Sequence, residues 1–196
     1  VNQYDESANR QVIITRTVNG KDVPVFLKKE LTDQIPSLKK QNLRHDAYAD
    51  KSVQELFSSK LISSSQVSTY NYSSTCIAWN KGGGQFDWVP LPFDAQVSAV
   101  TSIFPTDVNA DGKIDLLLGF NLYEWLPQFS RMDAGYGLVL LNEGGRKFNP
   151  LAPSASGIEI IGETRDIKPV VAGGKLNYLF VQNNSSPIFY QFNPEK

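Results

Sequence analysis

Two stretches of this chain recur at one fixed spacing, and that recurrence restricts the fold more than any other feature. Asn80-Lys81-Gly82-Gly83-Gly84-Gln85-Phe86 resembles Asn142-Glu143-Gly144-Gly145-Arg146-Lys147-Phe148, an offset of 142 − 80 = 62. Asn109-Ala110-Asp111-Gly112-Lys113-Ile114-Asp115-Leu116 parallels Val171-Ala172-Gly173-Gly174-Lys175-Leu176-Asn177-Tyr178, and 171 − 109 is again 62. The first pair follows short apolar runs, Cys76–Trp79 and Leu138–Leu141. Two matches at one offset imply a duplicated unit of about 60 residues, enough for four short strands and a long loop. From Cys76 onward, apolar runs alternate with Gly, Asn, Asp and Pro clusters, the pattern of a sandwich, barrel or propeller. The duplication selects the propeller, and 196 ÷ 62 allows about three units.

The first 75 residues read differently. Val12–Val18 is mostly β-branched, Asn19-Gly20 tolerates positive φ at both positions, and Val23–Leu27 returns, which predicts a type I′ hairpin. From Lys28 to about Ser58 the residues turn to Lys, Glu, Leu, Gln and Asp, with Leu31, Ile35, Leu38 and Leu43 near helical spacing. Pro36 is expected to open a second helix, and Asp50 to cap a third whose apolar side carries Val53, Leu56 and Phe57. Helices are expected only over roughly Lys28–Phe57. The Ser-rich stretch that follows reads as a linker or, through Val67, Tyr70 and Tyr72, as an exposed strand. The expected architecture is mainly β: a partial propeller with a small helical insertion. Its segments are an incomplete first repeat over 1–27, the insertion over 28–58, a repeat over 59–133 and a degenerate repeat over 134–196.

Chemistry concentrates in Asp107-Val108-Asn109-Ala110-Asp111-Gly112-Lys113-Ile114-Asp115. Oxygen side chains at Asp107, Asn109, Asp111 and Asp115, with the carbonyl of Lys113, suit one hard cation, and Gly112 permits the sharp turn. Ca²⁺ takes six to eight oxygens in flexible geometry, whereas Mg²⁺ demands a strict octahedron. An EF-hand needs a bidentate acid at its twelfth position, which here is Leu118, and an apolar strand follows in place of a helix. The plain alternative is a metal-free Asp/Asn/Gly turn, against which stands the mutual repulsion of three closely spaced carboxylates. The ion is expected to be structural calcium. At the same offset Pro169, Val171, Gly173 and Asn177 replace the four oxygen donors, so the second copy is expected to bind none. Asn2–Asn9 is a further candidate for a degenerate metal loop.

Between Asn121 and Gly137 lies a long loop with Tyr123, Glu124, Trp125, Phe129, Arg131, Asp133 and Tyr136. Aromatics with one acid and one arginine suit glycan stacking or a protein hot spot, and equally suit packing of the loop with Arg131 paired to Asp133. Glu124 and Asp133 are the only conceivable glycosidase pair here, and His45 with Cys76 the only nucleophile–base pair. A solvated histidine and a core thiol are the simpler readings. No G-x-S-x-G, P-loop or zinc-ligand cluster is present. A net charge of −1, from 19 basic and 20 acidic residues, argues against nucleic-acid binding. No apolar run reaches the length of a membrane span, and VNQYDESANR has no signal-peptide pattern, as a processed chain also would not.

A calcium loop between two strands of a roughly 60-residue β unit resembles the FG-GAP/VCBS repeats of integrin-type β-propellers. Further stretches are similar to the bacterial VCBS proteins of the ASPIC/UnbV, cartilage-acidic-protein-like group: Ile35–Lys40, Asp46–Ala49, Leu91–Gln96 and Arg131–Leu141. The resemblance spans the chain from the hairpin to Asn193. It implies a secreted or envelope-associated propeller of about seven blades with no established catalytic residues. This chain would then be the C-terminal piece of a longer protein, completed by remaining blades or by another chain. The function expected is non-catalytic recognition or scaffolding, with a protein or glycan ligand, outside the cytoplasm. The rival expectation is one wall of a propeller hydrolase or lyase acting on polysaccharide.

Overall fold

Asn19 and Gly20 take φ values of 51° and 77°, and the chain reverses there between β1 (Thr15–Val18) and β2 (Lys21–Pro24), as a type I′ turn requires. A computed structural model describes residues 1–4, 9–41, 44–126 and 128–192; residues 5–8 of the candidate loop Asn2–Asn9, Leu43 of the helical pattern and Asn193 lie outside these. The chain divides into two compact units, Val1–Asn71 and Tyr72–Lys196, and is mainly β, with 38% strand and 17% helix.

In the first unit the hairpin precedes five short helices: α1 (Lys28–Gln34), α2 (Ser37–Gln41), α3 (Asp46–Ala49), α4 (Val53–Leu56) and α5 (Ser59–Ser63). Leu31, Ile35, Leu38, Tyr48, Val53, Leu56 and Phe57 form its core together with Tyr4. Pro36 directly precedes α2. The cap of α4 is Ser52, not Asp50: Glu55 accepts from the Ser52 backbone N–H at 2.8 Å and from its hydroxyl at 2.7 Å. Helix also continues past Phe57, because the Ser58 hydroxyl accepts from Leu61 N and opens α5. No regular element follows between Gln66 and Ser74, and Val67 and Tyr70 stand exposed there.

The second unit is a succession of antiparallel meanders. A two-stranded hairpin, β3 (Cys76–Gly82) and β4 (Gln85–Pro90), is followed by a four-stranded sheet in the order β5 (Val100–Thr106), β6 (Asp115–Phe120), β7 (Leu138–Gly144), β8 (Lys147–Pro150). A three-stranded sheet of β9 (Thr164–Ala172), β10 (Lys175–Gln182) and β11 (Ile188–Tyr190) comes last. No sheet closes on itself. Outside the strands lie a 3-10 turn at Phe93–Ala95 and a one-turn helix α6 (Pro153–Ser156), which starts on proline and stops at Gly157 with φ 68°. These are two further exceptions to the helix limits expected from the sequence.

The hairpins β3–β4 and β7–β8, 62 residues apart, share one backbone. Both bulge at the same place, Asn80/Gly82 and Asn142/Gly144. In each the asparagine Oδ1 accepts from the glycine two residues on, at 2.7 and 2.9 Å. Alternation along the strands of the middle sheet sends side chains to opposite faces. Leu118, Phe120, Leu138 and Leu140 pack with Leu91, Ala95 and Ile77 of the first hairpin and its exit. Leu117 and Val139 pack the other way, with Ile160, Ile167, Tyr178 and Phe180. Three layers result, with the middle sheet buried on both sides.

Candidate metal centre and aromatic loop

The Asp107–Asp115 segment joins β5 to β6, and its acidic residues are wrapped around its own amides. Ala110 (φ 59°) and Gly112 (φ 83°) turn the backbone into the left-handed region. Asp107 accepts from Asp111 N at 3.1 Å and from Gly112 N at 2.9 Å, and Asn109 Oδ1 also lies 3.1 Å from Asp111 N. Asp111 in turn accepts from Lys113 N at 2.9 Å and from the Lys113 ammonium at 2.7 Å. That ammonium holds the Asp111 carboxyl below the usual carboxylate range, with the Lys113 amide adding to the effect; the Lys113 amine is raised by the same pairing. The loop is exposed apart from Val108 and Asp115.

Asp115 behaves differently from the other three. It is the first residue of β6 and has no exposed surface. Its Oδ2 accepts from Val108 N at 3.0 Å and its Oδ1 from Asn142 N at 2.7 Å, while Asn142 Nδ2 donates to Ile114 O at 3.0 Å. One carboxylate therefore ties the loop both to itself and to β7.

Hard oxygen donors from Asp107, Asn109 and Asp111 are gathered on neighbouring amides, and their chemistry fits a calcium ion. Among the described residues, however, no three Asp, Glu, His or Cys side chains are grouped as a cage. The charge beside Asp111 is supplied by Lys113. In the 62-residue counterpart, Gly173 (φ 59°) and Gly174 (φ 74°) make a two-residue turn between β9 and β10 with no acidic side chain in it.

The aromatic loop is pinned at its base by an isolated bridge between Leu122 and Met132. It brings some of the expected ligand residues together. The Arg131 guanidinium lies 3.7 Å from the centroid of the Tyr123 ring and pairs with Asp133 at 3.3 Å. Trp125 faces Phe129, ring centroids 5.8 Å apart, and is half exposed. Glu124 is exposed, and Tyr136 is tied through its carbonyl to Ile160 N at 2.7 Å with its ring in solvent. His45 is exposed at the start of α3 and Cys76 half-buried in β3.

Two residues that organise this loop were not singled out in the sequence. Asn121, buried with φ 84°, donates to the carbonyls of Gly135 and Gly162, both at 2.7 Å, and accepts from Gly135 N and the Ser98 hydroxyl. Glu163, 1% exposed, accepts from Tyr123 N, Asn183 Nδ2 and Arg165. The only hint was that each polar residue abuts an apolar or glycine-containing stretch.

Compared with protein-family models, curated proteins and solved structures, the chain finds no match in any of the three. Among the described residues no helix is long and apolar enough to cross a membrane.

Proposed function

We propose that the chain is a calcium-stabilised, non-catalytic segment of a β-propeller, serving protein or glycan recognition or scaffolding outside the cytoplasm. The observation that carries this reading is the order of layers in the second unit. A complete four-stranded meander, β5–β8, lies between a hairpin matching its own last two strands and a meander starting at the same offset. The acidic loop joins the first two strands of that complete meander. In this reading Asp107, Asn109, Asp111 and Asp115 give side-chain oxygens to the ion, and Lys113 its carbonyl, while the Lys113 ammonium leaves Asp111. The exposed rings of Trp125 and Tyr136, with Tyr123 under Arg131, offer the recognition surface. The hydrolase or lyase alternative has no comparable support, because Asp133 is engaged by Arg131 and Glu124 is exposed.

Binding to the folded state alone stabilises by about 2.7 kcal/mol at a hundredfold excess over Kd. At about 2–4 °C per kcal/mol, that is roughly 5–11 °C in melting temperature. Millimolar calcium outside cells can supply such an excess for a modest site, whereas submicromolar cytosolic calcium cannot. The test is melting of the EDTA-treated chain with and without calcium or magnesium. Calcium should raise the midpoint and magnesium should do so much less. D111A should abolish the shift, and N177A should keep it. Identical melting with and without calcium overturns the metal assignment.

A further inference from the structure

The hairpins β3–β4 and β7–β8 share a backbone, but they differ at one turn position. The first uses Gly84 (φ 75°), whereas 62 residues on the second keeps Arg146 (φ 69°). Left-handed backbone suits glycine and strains any residue with a Cβ, so an arginine held there directs attention to what its side chain does. Its guanidinium lies 5.4 Å from the centroid of the Trp79 ring and donates to Asp87 at 3.0 Å. Lys81 also bridges Asp87, so two cations share one carboxylate and one positive charge remains. The Trp79 Nε1–H is buried and has no acceptor. These groups belong to this copy alone, since Leu141 and Asn149 stand at the positions matching Trp79 and Asp87.

The register pairs Ile77 with Val89 and Trp79 with Asp87, which places all four on one face of the hairpin. Between that face and the turn of the second hairpin lies a cleft of about 240 Å³, walled by Ile77, Val89, Leu91 and Phe148, with Arg146 and Lys147 in its lining. Lys147 is neutralised by Glu143, which leaves the Arg146–Lys81–Asp87 group as the source of excess charge. An unpartnered donor, a surplus cation and an apolar cleft together describe a ligand with an anionic head and an apolar tail.

The geometry points to a binding site for a small organic monocarboxylate. Its carboxylate meets Arg146 and accepts the Trp79 indole N–H. Its alkyl chain, about six carbons for a space of roughly eight waters, lies against Ile77, Val89, Leu91 and Phe148. An alcohol of the same length would leave the cation unanswered, and acetate would leave the apolar walls in water. The site depends on neither the calcium loop nor the propeller reading.

The test is a titration of the intact chain with hexanoate, 1-hexanol and acetate, followed by the indole N–H resonances of its three tryptophans. Hexanoate should move the Trp79 signal downfield to saturation and leave Trp88 and Trp125 in place. It should bind at least tenfold more tightly than hexanol or acetate. R146G should lose at least tenfold in hexanoate affinity with an unchanged or raised melting temperature, because glycine suits the left-handed position. W79F, which keeps the ring and removes only the N–H, should weaken binding several-fold. An unmoved Trp79 signal, equal binding of hexanol, or undiminished binding by R146G overturns the proposal.

Discussion

Replacing Asp115 by alanine removes the one side chain that connects the acidic loop, β6 and β7, and the structure sets the cost. Two backbone donors lose their acceptor: Val108 N, which is buried, and Asn142 N, which is half-buried. A buried donor left unpaired costs about 1–3 kcal/mol, and less where water can reach it. The pair therefore amounts to about 2–4 kcal/mol, or roughly 5–15 °C in melting temperature for a chain of this size. D115N retains one acceptor oxygen and turns an NH₂ group toward the other donor, so it should fall between the wild type and D115A. Calorimetric melting in EDTA is the right assay, because the two amides need their acceptor whether or not an ion is bound. If D115A melts within about 1 °C of the wild type in EDTA, the carboxylate is not the tie described here. If it is destabilised only when calcium is present, Asp115 acts through the ion and the structural account fails.

Three other outcomes follow from particular contacts. N121A and N121D should each cost about 3 kcal/mol, since both lose the donors to Gly135 O and Gly162 O; thermal melting gives the comparison. G135A should cost about 1–3 kcal/mol by overpacking, because a Cβ there collides with the Phe120 side chain inside the core, and the same melts report it. Glu55 is held at about 2 by the Ser52 backbone N–H, then the Ser52 hydroxyl and Lys21. Its folded value is depressed, so its contribution is present above the ordinary value of 4.5 and lost as pH falls from 4.5 through 2. Urea unfolding across that window should show a smaller pH slope for E55Q than for the wild type.

Local chemistry made the turns legible in the sequence. Asn19-Gly20, Gly83-Gly84 and Gly173-Gly174 tolerate positive φ whatever surrounds them, and each appears as a turn. The register of β3–β4 against β7–β8 followed from the same local grammar. The α4 cap was misread although its pattern was there: Ser52-Val53-Gln54-Glu55 is a Ser-x-x-Glu box, and it outranks Asp50 because it answers two groups at once. Asn121 and Glu163 were illegible for a different reason. Their partners lie 14 to 41 residues away, at Gly135, Gly162, Tyr123 and Asn183, and no periodicity records such distances.

The acidic loop shows how one pattern of residues serves two requirements. Oxygen side chains at alternate positions place negative charge close together, and the sequence alone makes a cation the natural remedy. The folded loop supplies another remedy from within: amides of Asp111 and Gly112 for Asp107, the amide and ammonium of Lys113 for Asp111, and the amides of Val108 and Asn142 for Asp115. Backbone N–H groups stabilise a carboxylate without neutralising it, so a net negative charge remains at the exposed end, where Lys113 is the only cation of the segment. An ion entering there competes with one flexible ammonium and not with the buried tie at Asp115. The scaffold that fixes β6 against β7 is thereby separated from the part of the loop that exchanges its counter-charge. Calcium then adds stability to a loop that is already folded, which is why the two halves of the segment should respond differently to EDTA.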